Sequence, residues 1–139
     1  DRQFASANAL YQSLGIARED KAARDAQMFK NFECFGAPHA VFLFLPSCFV
    51  SKDNSGLREA ADLGMYSQTL MLSIVAHGLG CCPQTALSFT AALIREELNI
   101  SEEYKLMFGI SFGHTDEADA SVGARTDRAA LADCVRFYD

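Results

Sequence analysis

The sequence predicts an α+β fold, a small sheet packed by helices, and three observations carry that prediction. A continuous apolar run, residues 40–45, and a second, mostly apolar segment, residues 106–112, have the length of strands. Four segments repeat their apolar residues at the three-and-four spacing of a helix. One of these, residues 57–77, is apolar nearly all round, so it should be buried on most sides, inside the domain or at a subunit interface.

Taken in order, the first helix is expected over residues 4–14, where Phe4, Ala7, Leu10, Tyr11 and Leu14 form one stripe and Gly15 ends it. A second is expected over 19–32, with Ala22, Ala23, Ala26, Phe29 and Phe32 opposite Lys21, Arg24, Asp25 and Lys30. Gly36, Ala37 and Pro38 break it. The run 40–45, closed by Pro46, lacks alternation and reads as a central strand covered on both faces. Asp53, Asn54 and Ser55 are each suited to cap the long helix. Gly64 within it allows a neighbouring backbone to come close. Gly78 and Gly80 suit its C-terminus, and Pro83 stops any continuation. Pro83, Gln84 and Thr85 then read as a short polar loop, followed by a helix over 89–98 with Ser88 as cap and Asn99 as a left-handed stop. The second strand, 106–112, contains Gly109, which marks a bulge or a close approach to something flat. Residues 115–124 read as a polar loop, and Val135 and Phe137 alternate as in a short terminal strand. Two strands are too few for a stable sheet, so weaker segments, further chain or a partner subunit must add to it.

The chain of 139 residues is one domain by length, large enough for a real core. Its formal net charge of −6 repels a nucleic-acid backbone or an anionic membrane, and neither is expected as a partner. The five cysteines, Cys34, Cys48, Cys81, Cys82 and Cys134, are odd in number and lack a C-x-x-C spacing, as expected of reduced thiols in a cytoplasmic protein. No run reaches the roughly 18 apolar residues of a membrane span, and no signal peptide is evident. The chain opens Asp1-Arg2-Gln3 without methionine and reads as the later part of a longer polypeptide.

The segment Gly109-Ile110-Ser111-Phe112-Gly113 fits the pattern of a nucleophile elbow. That device needs a helix after the strand and a later histidine. Here a polar loop follows and no histidine comes after His114, so Ser111 is expected to be a small buried residue. His39, His77 and His114 are scattered with no ligand at metal-binding spacing, and no metal site is expected. His77 suits a helix C-terminus. Cys81 and Cys82 are adjacent, a hard geometry to bridge, and read as apolar filler. No dinucleotide or phosphate-loop motif follows a strand.

What remains is the turn Gly78-Leu79-Gly80-Cys81-Cys82-Pro83-Gln84-Thr85 and a basic pair, Arg125 and Arg128. The succession FGAPHAVFLFLP, DLGMYSQTLMLSIVAHGLGCCPQT, REELNI, KLMFGISFGHTD and RTDRAAL resembles the C-terminal two thirds of a nitroreductase-family flavoprotein, and within the family the enzymes acting on nitroaromatics such as nitrobenzoates. The resemblance implies a single, partial nitroreductase-like domain over 1–139, with a small antiparallel-type sheet packed by helices and an N-terminal part lying upstream. It implies a homodimer holding FMN between subunits and passing reducing equivalents from NADH or NADPH to a nitroaromatic or quinone acceptor by a ping-pong mechanism. Pro83, Gln84 and Thr85 match the loop against the flavin ring, and Arg125 and Arg128 the basic segment near the FMN phosphate. The flavin carries the chemistry, so no catalytic side chain is expected. The family's Arg-x-Ser-x-Arg and Asn/Gln-Pro-Trp segments have no counterpart here, and the alternative expectation is a non-catalytic remnant that folds or dimerises without FMN.

Overall fold

The computed structural model describes residues 2–50 and 56–138. It divides into two compact units, residues 25–115 and a second made of 1–24 with 116–139.

The larger unit is built on a three-stranded antiparallel sheet of order β1-β3-β2, from β1 (His39–Pro46), β2 (Gly80–Gln84) and β3 (Tyr104–Gly113). The expectation for β1 is thereby corrected. It is an edge strand, and β3, ten residues long and paired on both sides, is the central one. The register sets Val41 and Pro83 on either side of Ile110, and Phe42 and Gln84 on either side of Gly109. A one-residue irregularity falls between Leu43 and Phe44, opposite Met107, so the bulge lies two residues before Gly109.

The third strand is the weaker segment that the two-strand count called for. Residues 83–84 close β2 where a polar loop was expected, because β3 offers an unpaired edge that overrides the turn-like composition. Pro83 is tolerated because β2 is itself an edge strand, where a missing N–H breaks no ladder.

One face of this sheet packs against α3 (Leu57–Ala76). Leu43, Ile74 and Ile110 form the buried cluster, with Val41, Leu63, Leu70, Met71, Leu79, Phe108 and Phe112 around it. Leu63, Ser67, Leu70 and Ile74 recur every three or four residues and give α3 its inner face. Ser67 is buried there because its hydroxyl donates to the Leu63 carbonyl four residues back, at 2.6 Å. The opposite face is exposed and uncharged along Met65, Gln68, Leu72 and Val75. Within the unit α3 is therefore covered on one side only. Gly64 meets no backbone, since a Cβ there would have nothing within 4 Å.

Gly56 occupies the N-cap of α3, and the proposed caps Asp53, Asn54 and Ser55 lie outside the described residues. The C-terminus is a Schellman stop, with the Leu79 N–H donating to Ile74 O at 3.2 Å and the Gly78 N–H to Val75 O at 2.9 Å. Gly78 sits at φ +77° with open space around it, so Gly78→Ala is expected to cost only backbone strain, about 1 kcal/mol in a denaturation series. His77 is the C-cap residue, its Nδ1 2.8 Å from the Ser73 carbonyl.

The expected helix over 89–98 divides in two. A 3-10 segment over Thr85–Thr90 precedes α4 (Ala91–Glu97), with Thr90 as N-cap in place of Ser88, whose hydroxyl bonds Thr85 O instead. Asn99 is left-handed, φ +52°, as expected.

In the smaller unit α1 (Arg2–Ser13) packs against a 3-10 turn at Ala120–Gly123. The helix α2 (Lys21–Phe29) spans the division between units and is capped by the Asp20 carboxylate, which accepts from the Ala23 N–H at 2.9 Å. It is shorter than the expected 19–32. The anticipated terminal strand is corrected as well. Leu131–Cys134 forms the short helix α5, and residues 135–138 pair with nothing in a unit that contains no strand edge. No described helix is long and apolar enough to cross a membrane.

Candidate functional site

The segment joining β2 to the 3-10 turn alternates sharply in exposure. Pro83 and Thr85 are exposed, whereas Gln84 between them is 2 % exposed and Ala86 and Leu87 beyond are buried at 8 % and 3 %. Strand periodicity accounts for the contrast between Pro83 and Gln84, since successive strand residues point to opposite sides, and the 3-10 segment then buries Ala86 and Leu87 together. The Gln84 amide turns into the unit, where Nε2 donates to the Asn31 carbonyl at 2.7 Å and Oε1 has no partner. Gln84 is thus the residue before the 3-10 turn without capping it, and the first N–H groups of that turn receive no side-chain acceptor.

Leu87 lies over Gly109. A Cβ placed on Gly109 would stand 2.5 Å from Leu87 Cδ1, so the close approach expected there is real but is made by an aliphatic side chain. Sheet and turn meet through this contact.

Arg125 and Arg128 stand in the other unit, in the exposed segment before α5. Arg125 Nη1 donates to Val122 O at 3.2 Å. Arg128 Nη1 contacts Thr126 O, Thr126 Oγ1 and Asp127 O at 3.0 to 3.4 Å. All these acceptors are local. Neither arginine forms an ion pair among the described residues, so two guanidinium charges stand uncompensated on a chain of net charge −6. An anion with several acceptor oxygens suits such groups.

The remaining chemistry-bearing residues have structural places. Ser111 is 2 % exposed within β3, between Ala40 and Cys82, and residues 114–119 directly after the strand form no helix, so the elbow motif has no elbow geometry. His39 stacks on Phe112 with centroids 5.2 Å apart. Burial pushes the Cys81 thiol above the ordinary 9.0, and burial followed by the neighbouring Cys81 does the same for Cys82. Both stay protonated at neutral pH and are poor nucleophiles. Among the described residues no three His, Cys, Asp or Glu side chains gather as a metal site. Sequence reasoning did not anticipate the Gln84–Asn31 bond, which joins residues 53 apart, because Gln84 read as part of a polar loop.

A central antiparallel strand flanked by two edges and backed by one long helix, with an exposed proline–threonine pair at a strand end, defines an α+β scaffold open along that end. The family model "Nitroreductase family" matches residues 3–114, and the chain belongs to that family. It is 43% identical over 128 residues to the nitroreductase NfnB of Mycolicibacterium smegmatis, covering 92% of this chain and 52% of that protein. It is 32% identical over 117 residues to a 4-nitrobenzoate reductase of Pseudomonas putida, covering 84% and 49%. The crystal structure of the FMN-dependent nitroreductase NfnB from Mycobacterium smegmatis in complex with NADPH superposes with a TM-score of 0.89 at 40% identity, over 99% of this chain and 59% of that one. The chain spans about half the length of the curated relatives it matches. Arg125 and Arg128 lie beyond the segment that the family model matches.

Proposed function

We infer that this chain forms part of a homodimeric, FMN-dependent oxidoreductase of the cytoplasm that transfers reducing equivalents from NAD(P)H to nitroaromatics or quinones by a ping-pong mechanism. The observation that carries the reading is the likeness, over nearly the whole chain, to a protein described as an FMN-dependent nitroreductase in complex with NADPH. When bound, the isoalloxazine of FMN would take up a hydride equivalent from the nicotinamide and release it to the acceptor.

Each unit taken by itself offers groups that suit one part of that cofactor. Pro83 and Thr85 offer an exposed, largely apolar edge for the ring, and the uncapped N–H groups at the start of the 3-10 turn can stabilise negative charge on it. Arg125 and Arg128, exposed and without carboxylate partners, would hold the phosphate. Gln84 contributes through its backbone, since its side chain is committed to the interior. The uncharged outer face of α3 would be covered by the second subunit.

The test is an FMN titration of wild type and Arg128→Ala. Loss of a charge-assisted phosphate contact is expected to weaken binding by about 1.5–3 kcal/mol, roughly 10- to 150-fold in Kd. An unchanged Kd would remove Arg128 from the site. A wild type that binds no FMN but remains a folded dimer would favour the non-catalytic reading.

A further inference from the structure

We propose that the Gln84 side chain, together with Leu87 seated over Gly109, forms an inward lock that sets how Pro83 and Thr85 are presented to the flavin; all three are positioning residues, and the inference rests on the FMN reading above.

A buried glutamine at a strand end is a costly choice. Gln84 is 2 % exposed, and its Oε1 is left without a partner so that Nε2 can reach the Asn31 carbonyl at 2.7 Å. The amide cannot be turned round, because that would set Oε1 against the Asn31 oxygen. An apolar side chain would fill this place without an orphaned acceptor, so the bond is what distinguishes glutamine here.

Its partner gives the bond meaning. Asn31 lies in the turn that follows α2, in which Cys34, Phe35 and Gly36 lie successively in the left-handed region at φ 52°, 52° and 74°. Left-handed backbone at Cys34 and Phe35 is strained and persists only where surrounding contacts hold it. Gln84 supplies such a contact from the strand that ends beside Pro83 and Thr85. The same turn carries the exposed rings of Phe32 and Phe35, so one hydrogen bond couples an aromatic surface to the proposed flavin edge.

The second element of the lock is steric. Gln84 and Gly109 are register partners, and the missing Cβ of Gly109 is the space Leu87 fills. Leu87 is 3 % exposed, so it cannot swing into solvent if that space is taken. A methyl there presses on a side chain that belongs to the 3-10 turn, whose first residue is Thr85. Gln84 and Leu87 thus fix the two ends of a segment only four residues long, with Thr85 inside it.

The experiment compares full-length wild type with Gln84→Met, Gly109→Ala and the double variant Gly109→Ala/Leu87→Val. It records FMN Kd, the visible flavin spectrum and midpoint potential, and apoprotein melting. Methionine keeps length and volume but cannot donate to Asn31, and valine lacks the Cδ1 that meets the new methyl. Gln84→Met and Gly109→Ala are expected to weaken FMN binding about tenfold and to displace the spectrum and potential, and Leu87→Val to restore both in the Gly109→Ala background. If the single variants lower melting but leave affinity, spectrum and potential at wild-type values, the residues are merely structural and the proposal is overturned. Failure of Leu87→Val to restore them also overturns it. A wild type that takes up no FMN overturns the reading on which the lock rests, a result distinct from wild-type and variant proteins binding FMN alike.

Discussion

Replacing Leu72 with glutamate is expected to convert the proposed homodimer into monomers and to abolish the proposed FMN binding with it. Leu72 is 61 % exposed at the middle of the outer face of α3, with Met65 two turns earlier and Val75 one turn later at 62 % and 60 %. Charged residues on α3 are confined to its first turns, at Arg58, Glu59 and Asp62, so the face from Gly64 to Ala76 has no charge. A long helix that turns such a face outward needs a partner, because a patch of this kind on a free surface drives association. An ionised carboxylate trapped at its centre would cost about several kcal/mol, comparable with the whole stability of a modest dimer. Sedimentation of wild type and Leu72→Glu at matched concentration measures it. An unchanged molecular mass would place the interface elsewhere. The variant subunit should keep its far-UV circular dichroism, since Leu72 makes no part of the core cluster, while loss of association lowers its melting temperature.

Ile110→Ala is expected to lower stability by about 2–5 kcal/mol. Ile110 is fully buried, at 0 % exposure, on the central strand, and it packs with Leu43 of β1 and Ile74 of α3. It therefore joins sheet to helix, and the cavity left by alanine opens between two regular elements that cannot easily close over it. Chemical denaturation read by circular dichroism gives the value. A loss below about 1 kcal/mol would mean that the sheet and α3 adjust freely, contrary to the packing described.

The elements that were legible in the sequence are those whose own residues enforce them. The helix at residues 57–77, the glycine at its end and the strand at residues 106–112 report local preferences that tertiary packing reinforces, although α3, apolar nearly all round, is buried within its unit on one side only. Misreadings fell where a neighbour decides the outcome. Gly80-Cys81-Cys82-Pro83-Gln84 has the glycine and proline of a turn, yet it is a strand because β3 presents a free edge to it. The apolar run of β1 suggested a central position, but strand order depends on what lies beside it, and β1 closes the sheet. Val135 and Phe137 alternate like a strand and have no edge to join in their own unit.

The candidate site shows the same division. Pro83, Thr85 and the two arginines are singled out by the family resemblance, through motifs that match in order, and not by residue type or spacing alone. The inward turn of Gln84 could not be read from type, since a polar amide at a strand end is equally suited to solvent. Only the 2.7 Å bond to Asn31, across 53 residues of sequence, separates the two roles. Gly109 was legible as a place of close approach, whereas the identity of Leu87 as the group that approaches required the fold.

The most direct test is anaerobic titration of the full-length protein with FMN, then with NADPH, then with a nitroaromatic acceptor, followed by visible absorbance. The account predicts uptake of flavin, bleaching of its absorbance by NADPH, and return of the absorbance on adding the acceptor. A folded protein that takes up no FMN, or whose bound flavin NADPH does not bleach, would contradict it.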